Sequence, residues 1–237
     1  MKEKKIVFFD IYKTLIDIKT DEEDIRAYEF VCDWLGYKGI RINAREFYSV
    51  YRETIAKEVE PNRETYPDID IGRVFKKIVK DEAVAKETAL LFRIHTTRFI
   101  SLFPDTKAVL EALYGKARLV LVSNSQRLFT MPELIKFDLV RYFENIVLSS
   151  DVGSCKPGKK IFNAALKAAG TRPENVVYVG DNLFDDIWGA KKVGMKAVWI
   201  NHGVRNVLPQ GFELEEPDAE VNPGSYKDLP EIILKQV

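Results

Sequence analysis

Short apolar runs alternate with amphipathic stretches along most of this chain, and the alternation predicts its elements. Lys5–Phe9 is a β-branched and aromatic run that reads as a strand buried on both faces. From about residue 20 to 102 the pattern switches to helical spacing. Thr20 with Glu23 predicts a capping box opening a helix to about Leu35, with Ile25, Tyr28, Val31, Cys32 and Leu35 on one stripe. Asn43 with Glu46 predicts a second helix, and two more are expected over Ile71–Lys80 and Glu82–Leu102. Glu60–Asp70, with Pro61 and Pro67, reads as a loop between them.

Beyond Phe103, helices are predicted at Thr106–Leu113, Leu128–Phe137, Ile161–Ala169 and Phe184–Val193. Strands are predicted between and after them, at Ala117–Val122, Ile146–Leu148, Val176–Val179, Lys196–Ile200 and Ala219–Val221, before a terminal helix from Lys227. Strands alternating with helices predict an α/β fold, a Rossmann-like doubly wound parallel sheet. The expected division is a core of residues 1–16 and 103–237 with a four-helix insert over 17–102.

Composition narrows the function classes. With 36 basic and 36 acidic residues in 237 the formal charge is zero, so neither a nucleic-acid partner nor an acidic tail is indicated. The apolar runs are too short to span a membrane. The first strand begins at once, so no signal peptide is expected, and the cytoplasm is the expected compartment. Cys32 and Cys155 stand far apart and read as free thiols. Exposed aromatics such as Trp34 and Tyr48 leave monomer and homodimer both open.

The chemistry gathers at strand ends. Asp10 directly follows the first strand, with Thr14 four residues on. In open α/β sheets ligands bind beyond the carboxyl ends of the strands. Ser123 and Asn124 follow the strand at Ala117–Val122, where a hydroxyl and free N–H groups suit a phosphate oxygen. Pro157 keeps Lys156 out of a helix interior and presents it on a loop. Gly180-Asp181 ends another strand, with Asp185 and Asp186 close behind. Three carboxylates this close repel without a cation, and hard oxygen ligands suit Mg²⁺.

Asp10-x-Tyr12-x-Thr14, Ser123, Lys156-Pro157 and Gly180-Asp181-x4-Asp186 together resemble the four motifs of the haloacid dehalogenase superfamily. The resemblance spans essentially the whole chain, and the helical insert resembles a cap domain of that superfamily. It implies a phosphatase in which Asp10 is the nucleophile and forms an aspartyl-phosphate. Mg²⁺ is implied on Asp10, Asp181, the Tyr12 carbonyl and Asp186. Ser123, Asn124 and Lys156 are implied at the phosphoryl group, with Asp186 or Asp185 orienting the lysine and Thr14 fixing the Asp10 loop. Arg63, in the insert's loop, is a candidate contact for a substrate anion. His95 is expected to be structural, and His202 lies at the mouth of the sheet.

Tyr12 departs from the pattern, because most phosphatases of the superfamily carry an acid-base Asp there. The same first motif begins the superfamily's metal-independent 2-haloacid dehalogenases, which lack the Gly-Asp acid. Three readings follow: a metal-dependent phosphatase acting on a small phosphorylated metabolite, a 2-haloacid dehalogenase, or a binding protein with little turnover. The acidic last motif favours the first.

Overall fold

The computed structural model describes residues 4–59, 64–203, 208–209, 213 and 215–236. Among these, six strands share one sheet: β1 (Lys5–Phe9), β4 (Ala117–Ser123), β5 (Asn145–Leu148), β6 (Val176–Gly180), β7 (Lys196–Ile200) and β8 (Ala219–Val221). All neighbours run parallel, in the order β5-β4-β1-β6-β7-β8. β1 lies at the centre because its residues are apolar on both faces. Val7 and Phe9 point into one apolar cluster, and Ile6 and Phe8 into the other. Burying side chains of this size contributes about 1.5–3 kcal/mol each, so a central position for β1 is strongly favoured.

Helices cover both faces. α5 (Thr106–Leu113), α6 (Arg127–Lys136) and α10 (Leu229–Glu231) pack on the Val7 side. α8 (Lys159–Ala169), a π-helical turn at Leu183–Trp188 and α9 (Gly189–Lys192) pack on the Ile6 side. A short α7 (Ser149–Val152) follows β5. The doubly wound sheet is as the alternation predicts.

Between β1 and α5 the insert comprises α1 (Ile25–Tyr37), α2 (Ala44–Val59), α3 (Ile71–Val79) and α4 (Glu82–Thr96). Its apolar stripes meet in a third cluster, in which Tyr28, Tyr51 and Phe75 each pack against Phe92 at ring-centroid distances of 5.1, 5.2 and 5.7 Å. Phe129 of α6 joins that cluster, so the insert leans on the sheet core.

Two expectations fail here. The predicted helix over Glu82–Leu102 stops at Thr96, and β3 (Thr97–Leu102) follows it. The stop is chemical, because Thr96 and Thr97 turn their hydroxyls onto the carbonyls of Phe92 and Arg93, at 2.9 and 2.6 Å. β3 then pairs antiparallel with β2 (Ile16–Thr20), so a two-stranded ribbon joins insert and core. That pairing occupies Thr20, and the cap of α1 passes to Asp24, whose carboxylate accepts from Arg26 N–H at 3.0 Å. α2 starts just after Asn43 as expected, with Glu46 N–H on Asn43 Oδ1 at 3.0 Å.

His95 stacks on Phe30. Trp34 and Tyr48, expected to be exposed, are half-buried. Among the described residues no helix is long and apolar enough to cross a membrane.

Candidate active site

The carboxyl ends of β1, β4 and β6 converge on a cavity of about 210 Å³ lined by Asp10, Tyr12, Lys13, Ser123, Asn124, Lys156, Asp181, Asn182, Asp185 and Asp186. All the predicted site residues except Thr14 and Arg63 are therefore brought together around one space. Thr14 stands just behind, its hydroxyl 3.3 Å from Asp181 Oδ1 and 3.5 Å from Asp10 Oδ2. Arg63 lies outside the described residues.

Asp10 is anchored by its own N–H, which donates to Val179 O at 2.9 Å across the β1–β6 boundary. The chain then folds into a tight turn. Leu15 and Ile16 both donate to the Ile11 carbonyl, at 2.8 and 2.9 Å, and Lys13 takes a left-handed φ of 62°. His202 closes this turn from outside, with Nε2 2.5 Å from the Lys13 carbonyl and its ring stacked on Phe103. A carbonyl only accepts, so Nε2 carries the proton in this contact. Tyr226 donates to the Thr14 carbonyl at 2.9 Å.

Lys156 is the electrostatic hub. Its Nζ donates to Asp10 Oδ1 at 2.7 Å, to Asp186 Oδ1 at 2.5 Å and to Tyr178 Oη at 2.9 Å, and its side chain is 2% exposed. Burial alone would pull the ammonium down, but Asp10 and Asp186 outweigh it and hold Lys156 well above the ordinary lysine value. Asn124 fixes the backbone of this lysine from both sides. It accepts from Lys156 N–H at 2.6 Å and donates to Lys156 O at 3.0 Å.

Asp186 reaches the lysine because position 180 is glycine. A Cβ there would lie 2.4 Å from the Asp186 carboxyl. The second oxygen of Asp186 accepts from Asn182 N–H at 3.0 Å, and the Asn182 side chain caps the following turn through Phe184 and Asp185 N–H. Asp186, not Asp185, is thus the acid on Lys156.

Negative charge exceeds positive charge around the hub. Burial pushes Asp10 up against the pull of Lys156, and burial with Asp186 and Asp10 nearby pushes Asp181 up to about 8. Asp185 rises to about 6 for the same reason. Oxygens of Asp10, Asp181 and Asp186 lie within 4.8 Å of one another. A divalent cation fits this donor set: the ligands are hard oxygens, and one shared ammonium does not neutralise three largely buried carboxylates.

Tyr12 turns its hydroxyl elsewhere. It makes a short hydrogen bond to Glu133 Oε2 and lies 3.1 Å from Thr130 Oγ1. Burial, reinforced by Glu133, pushes the phenol above its ordinary value. Tyr178 and Asn182 bond within the cluster, and Glu133 and Arg93 meet Tyr12 behind it, none of them singled out by sequence reasoning. Tyr178 carried one faint signal, a hydroxyl in an otherwise aliphatic buried strand; the others carried none.

This convergence of Asp10, Ser123, Lys156 and Asp181 can be compared with known proteins. The family model for haloacid dehalogenase-like hydrolases matches residues 7–200. The chain belongs to that family. It is similar to glyceraldehyde 3-phosphate phosphatase of Pyrococcus furiosus, 29% identical over 206 residues, covering 86% of this chain and 83% of that protein. A crystal structure of a HAD phosphatase from Thermococcus onnurineus is 28% identical, with a TM-score of 0.62 over 98% of this chain and 100% of that one. The 2-haloacid dehalogenase of Pseudomonas syringae pv. Tomato DC3000 is 23% identical, with a TM-score of 0.67 over 99% and 100%, and shows the fold alone.

Proposed function

We infer that this HAD-family hydrolase is a phosphatase that acts on a small phosphorylated metabolite through an aspartyl-phosphate on Asp10. The observation that carries the reading is the surplus of buried carboxylate around Lys156. A phosphate ester brings further negative charge, and a site already short of positive charge accepts it only with a divalent cation. Asp10 and Asp181 would hold Mg²⁺, with Asp186 and the Tyr12 carbonyl as further oxygen donors. When bound, the ion would neutralise charge shared between nucleophile and phosphoryl group. The metal-free dehalogenase reading leaves the Asp181 side of the cluster without a counter-charge.

Asp10 supplies the nucleophilic oxygen, and Lys156 keeps it oriented through its contact with Oδ1. Attack forms the Asp10 oxygen–phosphorus bond as the bond to the leaving oxygen breaks. Ser123, which lines the same cavity as Asp10, and the N–H groups beside it face the nonbridging oxygens. Water then attacks phosphorus, releasing phosphate and restoring the Asp10 carboxylate. Asp186 holds Lys156 in place throughout. The Tyr12 proton is committed to Glu133, so Tyr12 is not the proton donor to the leaving group. The helical insert serves as a cap that excludes water and selects the metabolite.

The test is phosphate release from an aryl phosphate, with Mg²⁺ or with chelator, by the parent protein and Asp10→Asn. Release that requires Mg²⁺ and is lost in Asp10→Asn supports the reading. Halide release from a 2-haloacid in chelator would overturn it.

A further inference from the structure

Three side chains that this chemistry leaves unused meet at the seam between insert and core. Arg93, on α4, donates to Glu133 Oε1 at 2.8 Å and to Oε2 at 3.4 Å. Glu133 is on α6, and its Oε2 also takes the short bond from Tyr12, two residues beyond the nucleophile. The guanidinium lies 5.2 Å from the ring centre of Phe129 and 5.6 Å from that of Tyr12. The Arg93 and Glu133 side chains are only 14% and 11% exposed.

We propose that Glu133 is a positioning residue, a latch tying Tyr12 to the cap through Arg93, so that seating the cap and setting the Asp10 turn are one event. Arg93 belongs to the cap, whereas Glu133, Thr130 and Tyr12 belong to the core. Lifting the cap breaks both Arg93–Glu133 hydrogen bonds and withdraws the cation from the carboxylate that holds the Tyr12 hydroxyl. A bidentate charge-assisted pair is among the stronger contacts a seam can hold, so opening is opposed at Glu133. The disturbance is felt at Tyr12, which loses the guanidinium from its ring face. Tyr12 sits in the turn whose hydrogen bonds to Ile11 and Ile16 carry Asp10.

A second contact between insert and core supplies a reporter. The cap loop covers the loop that carries Lys156: Cys155 N–H donates to Tyr66 O at 2.8 Å, and Cys155 Sγ lies 3.8 Å from Pro67 O. Burial pushes this thiol up to about 12. Cys32 packs inside the helical insert and serves as the internal control.

The experiment follows alkylation of each cysteine by iodoacetamide in the full chain, read by mass spectrometry, in the parent, Arg93→Met, Glu133→Gln and the double variant. Cys155 labelling is expected to rise about tenfold in each single variant and no further in the double, as for residues sharing one network. Cys32 labelling stays constant. The kcat/KM for an aryl phosphate falls in each single variant, and the losses do not multiply in the double. An unchanged Cys155 rate, an equal rise at Cys32, or multiplicative losses would each overturn the latch. Labelling needs no turnover, so absence of phosphatase activity in the parent would sink the functional reading and leave this test standing.

Discussion

Two buried networks flank the Asp10 turn, and they are built from the same parts. Each joins one cation, carboxylate and a tyrosine hydroxyl: Lys156 bonds Asp10, Asp186 and Tyr178 directly, whereas Arg93 bonds Glu133, which in turn takes the Tyr12 hydroxyl. They differ in charge balance and in what they join. The lysine network lies wholly in the sheet core and has carboxylate to spare. The arginine network is balanced one to one and spans two packing units. Surplus charge makes a place for a ligand, whereas a balanced pair has no charge left to recruit one and serves to hold two surfaces together.

The largest effect should come from breaking the first network. Lys156→Met leaves Asp10 and Asp186 facing each other without their shared ammonium. Phosphate release should fall about 10²–10³-fold, as when one charge-stabilising donor is lost. Denaturant titration should show a stability loss of about 3–5 kcal/mol, the usual result of stripping one partner from a buried pair. A variant with normal turnover would dissolve the contrast between the networks.

An intermediate effect concerns the spare carboxylates. In the folded protein Asp181 keeps its proton up to about 8, while the unfolded chain loses it near 4. A raised carboxyl makes the folded state bind more protons across that window, so the metal-free protein loses stability as pH rises through it. Asp185, at about 6, has the same sign. Melting temperatures with Mg²⁺ and with chelator should therefore diverge more at about pH 8.5 than at about pH 5.5, because the ion competes with those protons. Equal increments at both pH values would mean that these carboxylates hold no surplus charge for an ion to relieve.

The smallest effect should come from Tyr12→Phe, which removes one hydroxyl and leaves the Arg93–Glu133 pair. Turnover should fall about two- to tenfold, in line with a single hydrogen bond worth about 0.5–1.5 kcal/mol. The ratio of aryl to alkyl phosphate turnover should stay constant. A selective loss on alkyl phosphates would make Tyr12 a proton donor and sharpen the comparison differently.

Much of this molecule is legible in its amino-acid sequence. Alternation of apolar strands and amphipathic helices determined the doubly wound sheet, because period and burial are written locally. Asp10, Ser123, Lys156 and Asp181 were legible too, since each stands at a strand end or the loop beyond it, and the topology brings those ends together. The Asn43 cap on Glu46 N–H forms within four residues and was equally readable. The end of α4 was not, because helical spacing continues past Thr96 while its pairing partner lies about 80 residues earlier, in β2. Only the tertiary structure decided that Asp186 rather than Asp185 meets Lys156. That choice depends on how closely the turn passes Gly180, where there is no room for a Cβ. Only the tertiary structure, likewise, decided where Tyr12 points: Arg93 and Glu133 are separated from it by 81 and 121 positions, and nothing local to any of the three encodes that meeting.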